Sequence, residues 1–315
     1  IISGNVLENS YGWGGGVLIL GTAYMSGNVI KDNHAPSYGG AVFVDEGGVL
    51  YMSSELIYDN TTDIEGAAIA ADYGDPGSSY VYLTNCTIAN NHSPDGSGLG
   101  GNALFLDVSS FGTVANCICY GNGDDFQAAP GSDLTVTYTL SEEPVAGPGN
   151  FQAVPLFADA ANGDYHLRST AGRYDPISEN WVTDAVHSPA IDAGDPASAY
   201  ANEPSPNGAR INLGYDGNTA FASMSSGSTG IVPTAHEPVL RAWPNPVAEQ
   251  LDIRSSAIAL PMSWMLTDAA GRVERADVVR ATTTTMDVRE LPAGPHILHW
   301  TDANGQRGEQ RIMKP

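Results

Sequence analysis

Carboxylates in the first half of the chain are the residues most suited to catalysis. Four aspartates lie close to asparagines that recur along the sequence: Asp32, Asp59, Asp124 and Asp125. Glycoside hydrolases use clustered carboxylates of this kind, whereas a uronate lyase needs a cationic side chain to stabilise its intermediate. Lys31 is the only lysine or arginine in residues 1–167. Because no hydrolase motif surrounds the aspartates and a solvated acidic face explains them as well, we predict no catalytic residue.

Aromatic residues in glycine-rich loops suggest a different chemistry, the stacking of sugar rings. Tyr11, Trp13 and Tyr38 lie in such loops, and aromatic faces beside a flat sheet are suited to glycan binding. Exposed aromatic residues also occur without any ligand. These three residues are therefore candidate glycan-binding residues, with incidental surface aromatics as the alternative.

Oxygen ligands for a calcium ion recur at short spacing after residue 154. Asp159, Asn162 and Asp164 have a spacing that suits calcium, as do Asp192 and Asp195. Turn formation explains the same residues without a metal. We therefore expect that no cofactor is required and keep calcium as the one candidate. The three cysteines are too few for a disulfide framework or a zinc site, and we expect buried free thiols.

Charge excludes two classes of partner. The chain carries 36 Asp and Glu against 13 Lys and Arg, for a formal charge of −23. Nucleic acids and anionic membrane surfaces both require clustered cations, so neither is an expected partner. No apolar run reaches the roughly 18 residues that a membrane-spanning helix needs.

A repeated segment determines the predicted architecture. Short alternating strands end in Asn33, Asn60, Asn91 and Asn122, which are separated by 27, 31 and 31 residues. Two further strands recur in each repeat, one after a Gly-Gly signal and one seen at Val49 and again at Val81. Such a unit buries its apolar face only by stacking on its neighbours. We therefore predict a right-handed parallel β-helix in which these asparagines form a structural ladder.

The Gly-Gly-apolar and Asn-ending strands resemble the pectate-lyase-like β-helix superfamily, and more narrowly the repeats of polymorphic outer membrane proteins. This resemblance covers about residues 1–150. Residues 154–223 resemble the closing segment of secreted β-helix proteins of the choice-of-anchor class. That resemblance implies irregular last coils of a β-helix that spans residues 1–223.

The C-terminal part reads as a separate domain. Residues 224–238, rich in Ser, Gly, Thr and Pro, predict a linker, and the alternating short strands of residues 239–315 predict a small Ig-like antiparallel β-sandwich. Four blocks, 242–246, 267–273, 287–294 and 311–315, resemble the type A sorting domain of type IX secretion substrates. The matching motif residues are Pro244, Asn245, Pro246, Asp268, Gly271, Gly294 and Lys314.

The resemblance to a sorting domain implies export by the type IX secretion machinery to the outer-membrane surface or beyond, in a Bacteroidetes-like bacterium. We expect a secreted or cell-surface protein with a structural or adhesive role. Ile1 already lies inside a repeat, so either an upstream part is missing or the molecule stacks end to end into extracellular fibres. The alternative is a glycan-binding or glycan-degrading protein.

Overall fold

The structure is a computed structural model. It describes residues 1–8, 11–72, 74, 77–93, 100–225, 239–243, 247–256, 260–268, 272–279, 283–301, 303 and 307–314. The chain divides into two compact units, Ile1–Gly227 and Ser228–Pro315, here called the N-terminal and the C-terminal unit. In the described residues every regular element is a strand, apart from a 3-10 helix at Ala160–Asn162. The all-β prediction is confirmed.

Three parallel sheets, here called A, B and C, form the first part of the N-terminal unit. Sheet A has the order β1 (Ile2–Ser3), β4 (Val29–Lys31), β8 (Leu56–Tyr58), β12 (Thr87–Ala89), β15 (Ile118–Tyr120), β18 (Leu140–Ser141) and β19 (Phe151–Gln152). Sheet B has the order β16 (Phe126–Ala128), β13 (Leu104–Leu106), β10 (Ile69–Ala71), β6 (Val42–Val44) and β2 (Val17–Ile19). Sheet C has the order β17 (Asp133–Thr137), β14 (Phe111–Ala115), β11 (Tyr80–Thr84), β7 (Val49–Ser53) and β3 (Thr22–Ser26). A short parallel pair, β5 (His34–Ala35) and β9 (Thr61–Thr62), lies at a corner.

Each strand pairs with the strand one repeat away, so the repeats stack. In sheet C, Tyr51 pairs with Tyr24 on one side and with Tyr82 on the other. The sequence repeats aligned Val49 with Val81, but Val49 pairs with Tyr80, which corrects that alignment by one residue. The error arises because both faces of this strand carry apolar or aromatic residues, so the pattern does not fix which face is buried.

The core of the stack is made by the inward-facing residues of all three sheets. Ile57 of sheet A, Ile69 of sheet B and Leu83 of sheet C belong to one buried cluster. Burial of each such side chain contributes about 2 kcal/mol. The strands are short, three to five residues in most cases, so the stability of the unit depends on many repeats sharing this core.

Crowding of the backbone explains the Gly-Gly signal before the strands of sheet B. Gly39 has a φ of 66°, in the left-handed region that disfavours a Cβ atom. A Cβ atom on Gly40 would lie 2.3 Å from the carbonyl oxygen of Ala67 and 2.4 Å from that of Thr61. Both oxygens belong to the backbone of the next repeat. Successive repeats therefore approach too closely at this corner for any side chain.

Residues 154–225, here called the lateral segment, do not continue the stack. They contain two antiparallel hairpins, β20 (Phe157–Asp159) with β21 (Asp164–Leu167) and β22 (Arg173–Asp175) with β23 (Asn180–Val182). Their apolar side chains pack on the outer face of sheet A: Leu167, Ala190 and Leu213 meet Ile118 and Leu140. The predicted irregular closing coils at 154–223 are thus corrected to a layer that covers one side of the stack.

The C-terminal unit contains two antiparallel sheets around their own core. One sheet has the order β24 (Val239–Trp243), β25 (Gln250–Ser256) and β28 (Thr283–Asp287). The other has the order β27 (Val273–Val279), β26 (Met262–Asp268), β29 (Gly294–Thr301) and β30 (Arg307–Lys314). Leu251, Leu266 and Leu298 are buried between them. From residue 226 onwards the predicted linker lies outside the described residues.

Candidate functional site

The asparagine ladder is the most regular side-chain arrangement in the N-terminal unit. Oδ1 of Asn60 accepts hydrogen bonds from the backbone N of Asn33 at 3.1 Å and from its Nδ2 at 2.9 Å. The same two bonds link Asn60 to Asn91 and Asn91 to Asn122. Each Nδ2 also donates to strand carbonyls, as Asn60 does to Ile30 and Tyr58. Every buried side-chain polar group of the row therefore has a partner.

The row is longer than the sequence suggested. Asn5 donates from its backbone N and its Nδ2 to Oδ1 of Asn33, and Asn122 Nδ2 donates to Oδ1 of Asp125 at 2.9 Å. Asp125 is buried, and this burial raises its pKa to about 6, although the hydrogen bond from Asn122 opposes the shift. A buried carboxylate thus ends a row that is otherwise neutral.

Asp125 makes the unit less stable as the pH rises. A carboxyl whose pKa is raised by folding contributes its full stability below the unfolded-state pKa near 4, and that contribution is lost as the pH rises through about 6. We expect Asp125→Asn, which keeps an acceptor for Asn122, to remove up to about 3 kcal/mol of the loss in stability between pH 4 and pH 8. Urea unfolding at both pH values measures this. Equal pH dependence in the variant and the parent would contradict the assignment.

A second row of side chains that bond from one repeat to the next lies at the corner between sheets C and A. Asn28 donates from its backbone N and Nδ2 to the carboxylate of Glu55, and the backbone N of Cys86 donates to Sγ of Cys117 at 3.3 Å. Cys86, Cys117 and Cys119 are buried and free. Burial raises the pKa of the Cys86 and Cys119 thiols well above its usual value, so both remain protonated and poorly nucleophilic.

Two of the predicted glycan-binding residues belong to an aromatic stack on the outer face of sheet B. The small side chain of Ala70 leaves a gap between the rings of Phe43 and Phe105. The Tyr38 ring fills this gap, and its centre lies 6.2 Å from that of Phe43 and 6.0 Å from that of Phe105. Trp13 stacks on Phe43 at 5.9 Å. Phe43 and Phe105 therefore both stack against the Tyr38 ring, which remains partly exposed. Trp13 is 45% exposed, so it retains area for a ligand, and Tyr11 lies outside the stack on the surface.

A buried carboxyl lies in the same row of loop residues. Trp13, Tyr38 and Glu65 pair in successive repeats. Glu65 is 4% exposed, and burial raises its pKa, as does the nearby negative charge of Asp107. Sequence reasoning missed Glu65, because the loop pattern places no second carboxylate at an equivalent position. Glu65 therefore places a carboxyl with a raised pKa beside an aromatic ring.

Sequence reasoning also missed the most exposed aromatic row. Tyr24, Tyr51 and Tyr82 point outward from sheet C and stack at 4.8 Å, with planes within 6° and 9° of parallel. Tyr80 and Phe111 form a parallel row beside them at 5.2 Å. The correct register of the sheet C strands would have aligned the three tyrosines.

The predicted calcium ligands have other partners. Asn162 Nδ2 donates to Oδ2 of Asp159 at 2.7 Å. Asp164 accepts a bond from His166 Nδ1 at 2.6 Å and lies 3.4 Å from Arg173; its pKa is lowered, chiefly by His166 against the effect of burial. Among the described residues, no group of three or more His, Cys, Asp or Glu side chains could hold a metal ion.

Lys31 is held in place by its neighbours. Its Nζ lies 3.2 Å from Oδ2 of Asp32 and 5.2 Å from the centre of the Tyr58 ring. Burial raises the pKa of Asp59, and repulsion from Asp32 adds to the shift while Lys31 opposes it. Asp124, at the far end of the stack, also has a pKa raised by burial. The four aspartates considered for catalysis in the sequence are thus spread along the stack.

The motif residues of the C-terminal unit are placed in turns and at strand ends. The carboxylate of Asp268 accepts bonds from the backbone N and Nε of Arg272. Gly294, with a φ of 134°, pairs with Lys314, whose Nζ donates to the carbonyl oxygen of Ala248. Pro244, Asn245, Pro246 and Gly271 lie outside the described residues.

These features define an all-β protein built on stacked parallel repeats, with buried polar rows and exposed aromatic rows along the stack. A family model described as "Disaggregatase related" matches residues 5–194. The chain belongs to this family. No helix in the described part of the chain is long and apolar enough to cross a membrane.

Comparison with solved structures finds similarity to immunoglobulin-like and related sandwiches. A protein with an immunoglobulin-like β-sandwich fold from Bacteroides vulgatus is 17% identical over 25% of this chain and 96% of its own, with a TM-score of 0.21. CopC from Methylosinus trichosporium OB3b is 15% identical over 24% of this chain and 89% of its own, with a TM-score of 0.19. No curated protein matches the chain.

Proposed function

We propose that this chain is an extracellular structural and adhesive protein whose N-terminal unit winds as a right-handed parallel β-helix. The observation that supports this most directly is the continuous row from Asn5 to Asp125, in which each repeat satisfies buried polar groups of the next. A stack in which each repeat contacts its neighbours through shared hydrogen bonds makes a stiff rod. A stiff rod with aromatic rows on its outside is suited to a surface scaffold.

Self-assembly is part of this proposal. Strands β1, β2 and β3 are the last strands of their sheets in the described chain, and Ile2, Ile19 and Met25 are only partly buried against the core. A second copy stacked on these edges, or a part of the protein upstream of Ile1, would pair their backbone groups and complete the burial. The expected product is an end-to-end polymer.

Sedimentation velocity over a concentration series tests the assembly. We expect the parent to form larger species as its concentration rises and Ile19→Lys to remain a monomer, because an edge charge opposes pairing. Ile177→Lys, at a residue that is 90% exposed on the lateral segment, is the matched control and should assemble like the parent. A parent that stays a monodisperse monomer at the highest concentration contradicts the assembly.

Glycan binding or degradation is the second candidate function. It is favoured by the position of Glu65 beside Tyr38, whose ring, like that of Trp13, stacks on Phe43. A panel of polysaccharides should be assayed for binding, for new reducing ends and for unsaturated uronate absorbance. We expect Trp13→Ala to reduce any binding and Glu65→Gln to reduce any turnover, with Ile177→Ala unchanged. If neither binding nor turnover is found on the panel, this candidate fails.

We also propose that the C-terminal unit is a type IX sorting domain that directs the protein to the cell surface. The sequence blocks that it shares with that class support the proposal, as does its pair of antiparallel sheets. Deleting residues 228–315 should keep the protein on the inner side of the outer membrane, as cell fractionation would show. Normal surface display of the truncated protein would contradict the proposal.

A further inference from the structure

Glu203, in the lateral segment, carries a buried carboxylate oxygen that has no partner. The residue is 5% exposed. Its Oε1 accepts hydrogen bonds from the backbone N of Asn212 at 2.8 Å and of Asn218 at 2.9 Å. Its Oε2 is buried and makes no hydrogen bond. A buried polar atom without a hydrogen bond lowers the stability of the fold, and the loss is larger for a charged group. A bound ligand at Oε2 would remove this loss.

A second acidic residue is joined to Glu203 through Asn212. The backbone N of Asp192 donates to Oδ1 of Asn212 at 2.8 Å, and both carboxylate oxygens of Asp192 lie within 2.8 Å of the Ser225 hydroxyl. Burial raises the pKa of Glu203 to about 7, and the negative charge of Asp192 adds to the shift. The two carboxylates therefore interact unfavourably when both are ionised.

The nearby cationic side chains act on Asp192 and not on Glu203. Arg210, whose charge acts on Asp192, donates from Nε to the carbonyl oxygen of Gly194 and from Nη2 to that of Ala193. Burial lowers the pKa of His187, so its neutral form is favoured. No positive charge is therefore bonded to Oε2 of Glu203.

We propose that Glu203, through Oε2, and Asp192 hold a calcium ion in the lateral segment. Calcium binds carboxylate, carbonyl and hydroxyl oxygens in flexible geometry and tolerates waters in its shell. Two carboxylates would balance its charge, and the Ser225 hydroxyl adds a neutral oxygen beside Asp192. The site differs from the spacing noted in the sequence, because Asp195 accepts the backbone N of Ala197 in a turn instead. This inference is independent of the proposed function.

Isothermal titration of calcium chloride into the chelator-treated full chain at pH 8 tests the site. We expect one saturable site, a higher melting temperature with calcium, and an affinity at least ten-fold lower in Glu203→Gln. Asp192→Asn, which keeps an acceptor for Ser225, is the second variant and should also lose at least ten-fold. Asp159→Asn and Asp195→Asn are matched controls and should bind like the parent.

Three results would overturn the calcium site: no saturable heat in the parent, unchanged affinity in both Glu203→Gln and Asp192→Asn, or loss of binding in Asp159→Asn. A titration with magnesium chloride belongs in the same series. Magnesium requires a tighter octahedral shell, so we expect it to bind at least ten-fold more weakly, and equal or tighter binding of magnesium would also contradict the assignment. Circular dichroism without calcium shows that each variant has folded.

Discussion

Asn91→Ala should lower the free energy of unfolding of the N-terminal unit by roughly 3–5 kcal/mol, because it leaves buried polar groups unpaired and opens a small cavity. Oδ1 of Asn91 accepts from the backbone N and Nδ2 of Asn60, and its Nδ2 donates to Ile57, Ala89 and Asn122. Asn91 is fully buried. The backbone N of Asn60 loses its acceptor and gains no access to water.

Urea unfolding followed by circular dichroism measures this effect. Asn5→Ala is the matched control at the exposed end of the same row, where Asn5 donates to Asn33 and the surroundings are solvated. We expect a loss below about 1 kcal/mol there. A similar small loss in Asn91→Ala would show that the row is not a buried, shared network.

Tyr165→Ala should release the lateral segment from sheet A, at a cost of roughly 3–5 kcal/mol for a large aromatic core deletion. Tyr165 is 1% exposed and packs in a cluster with Leu56, Tyr58 and Ala89. Its hydroxyl accepts a hydrogen bond from Asn90 Nδ2 at 3.0 Å. This side chain therefore joins β21 to the outward residues of two successive repeats.

Limited proteolysis with mass spectrometry distinguishes release of the segment from global unfolding. We expect cuts within residues 154–225 of Tyr165→Ala, while residues 1–150 stay protected. Tyr165→Phe, which loses only the hydroxyl, should cost about 1 kcal/mol. Ile177→Ala, on the same segment but exposed, should resemble the parent. Cuts spread evenly over residues 1–225 would contradict a separately attached layer.

The sequence predicted the all-β class and the position of the asparagines in each repeat because these depend on local pattern. Turn residues recur at the spacing of one repeat, and each asparagine bonds to its equivalent 27 or 31 residues away. The phase of the sheet C strands was wrong by one residue, because tyrosines on the outer face resemble core residues in an apolar pattern.

The position of the lateral segment could not be read from the sequence. Its contacts join residues far apart in the chain, such as Asn90 with Tyr165 at a separation of 75 and Thr87 with Tyr215 at 128. No local pattern encodes such contacts. The same holds for Glu203, whose unpartnered oxygen becomes visible only once Asn212 and Asn218 are placed around it.

The glycan-binding and calcium predictions show a related limit. Trp13 and Tyr38 are aromatic and lie in loops, which suggests glycan binding, yet Tyr38 stacks on Phe43 and Phe105. The spacing of Asp164 suggests a calcium ligand, yet it bonds to His166 and Arg173. Residue type suggests a chemistry, but the neighbours decide whether the side chain is available for it.

Disulfide trapping across sheet C tests the in-register stack most directly. Tyr51 and Tyr82 pair as neighbours that point outward, and their Cα atoms should be about 4.8 Å apart, within the range of a disulfide. Mild oxidation of Tyr51→Cys/Tyr82→Cys should give a cross-linked product in high yield. Tyr51→Cys/Leu83→Cys should give little, because Leu83 points into the core. The reverse yields would show that the strands pair in the other phase and would contradict the stack described here.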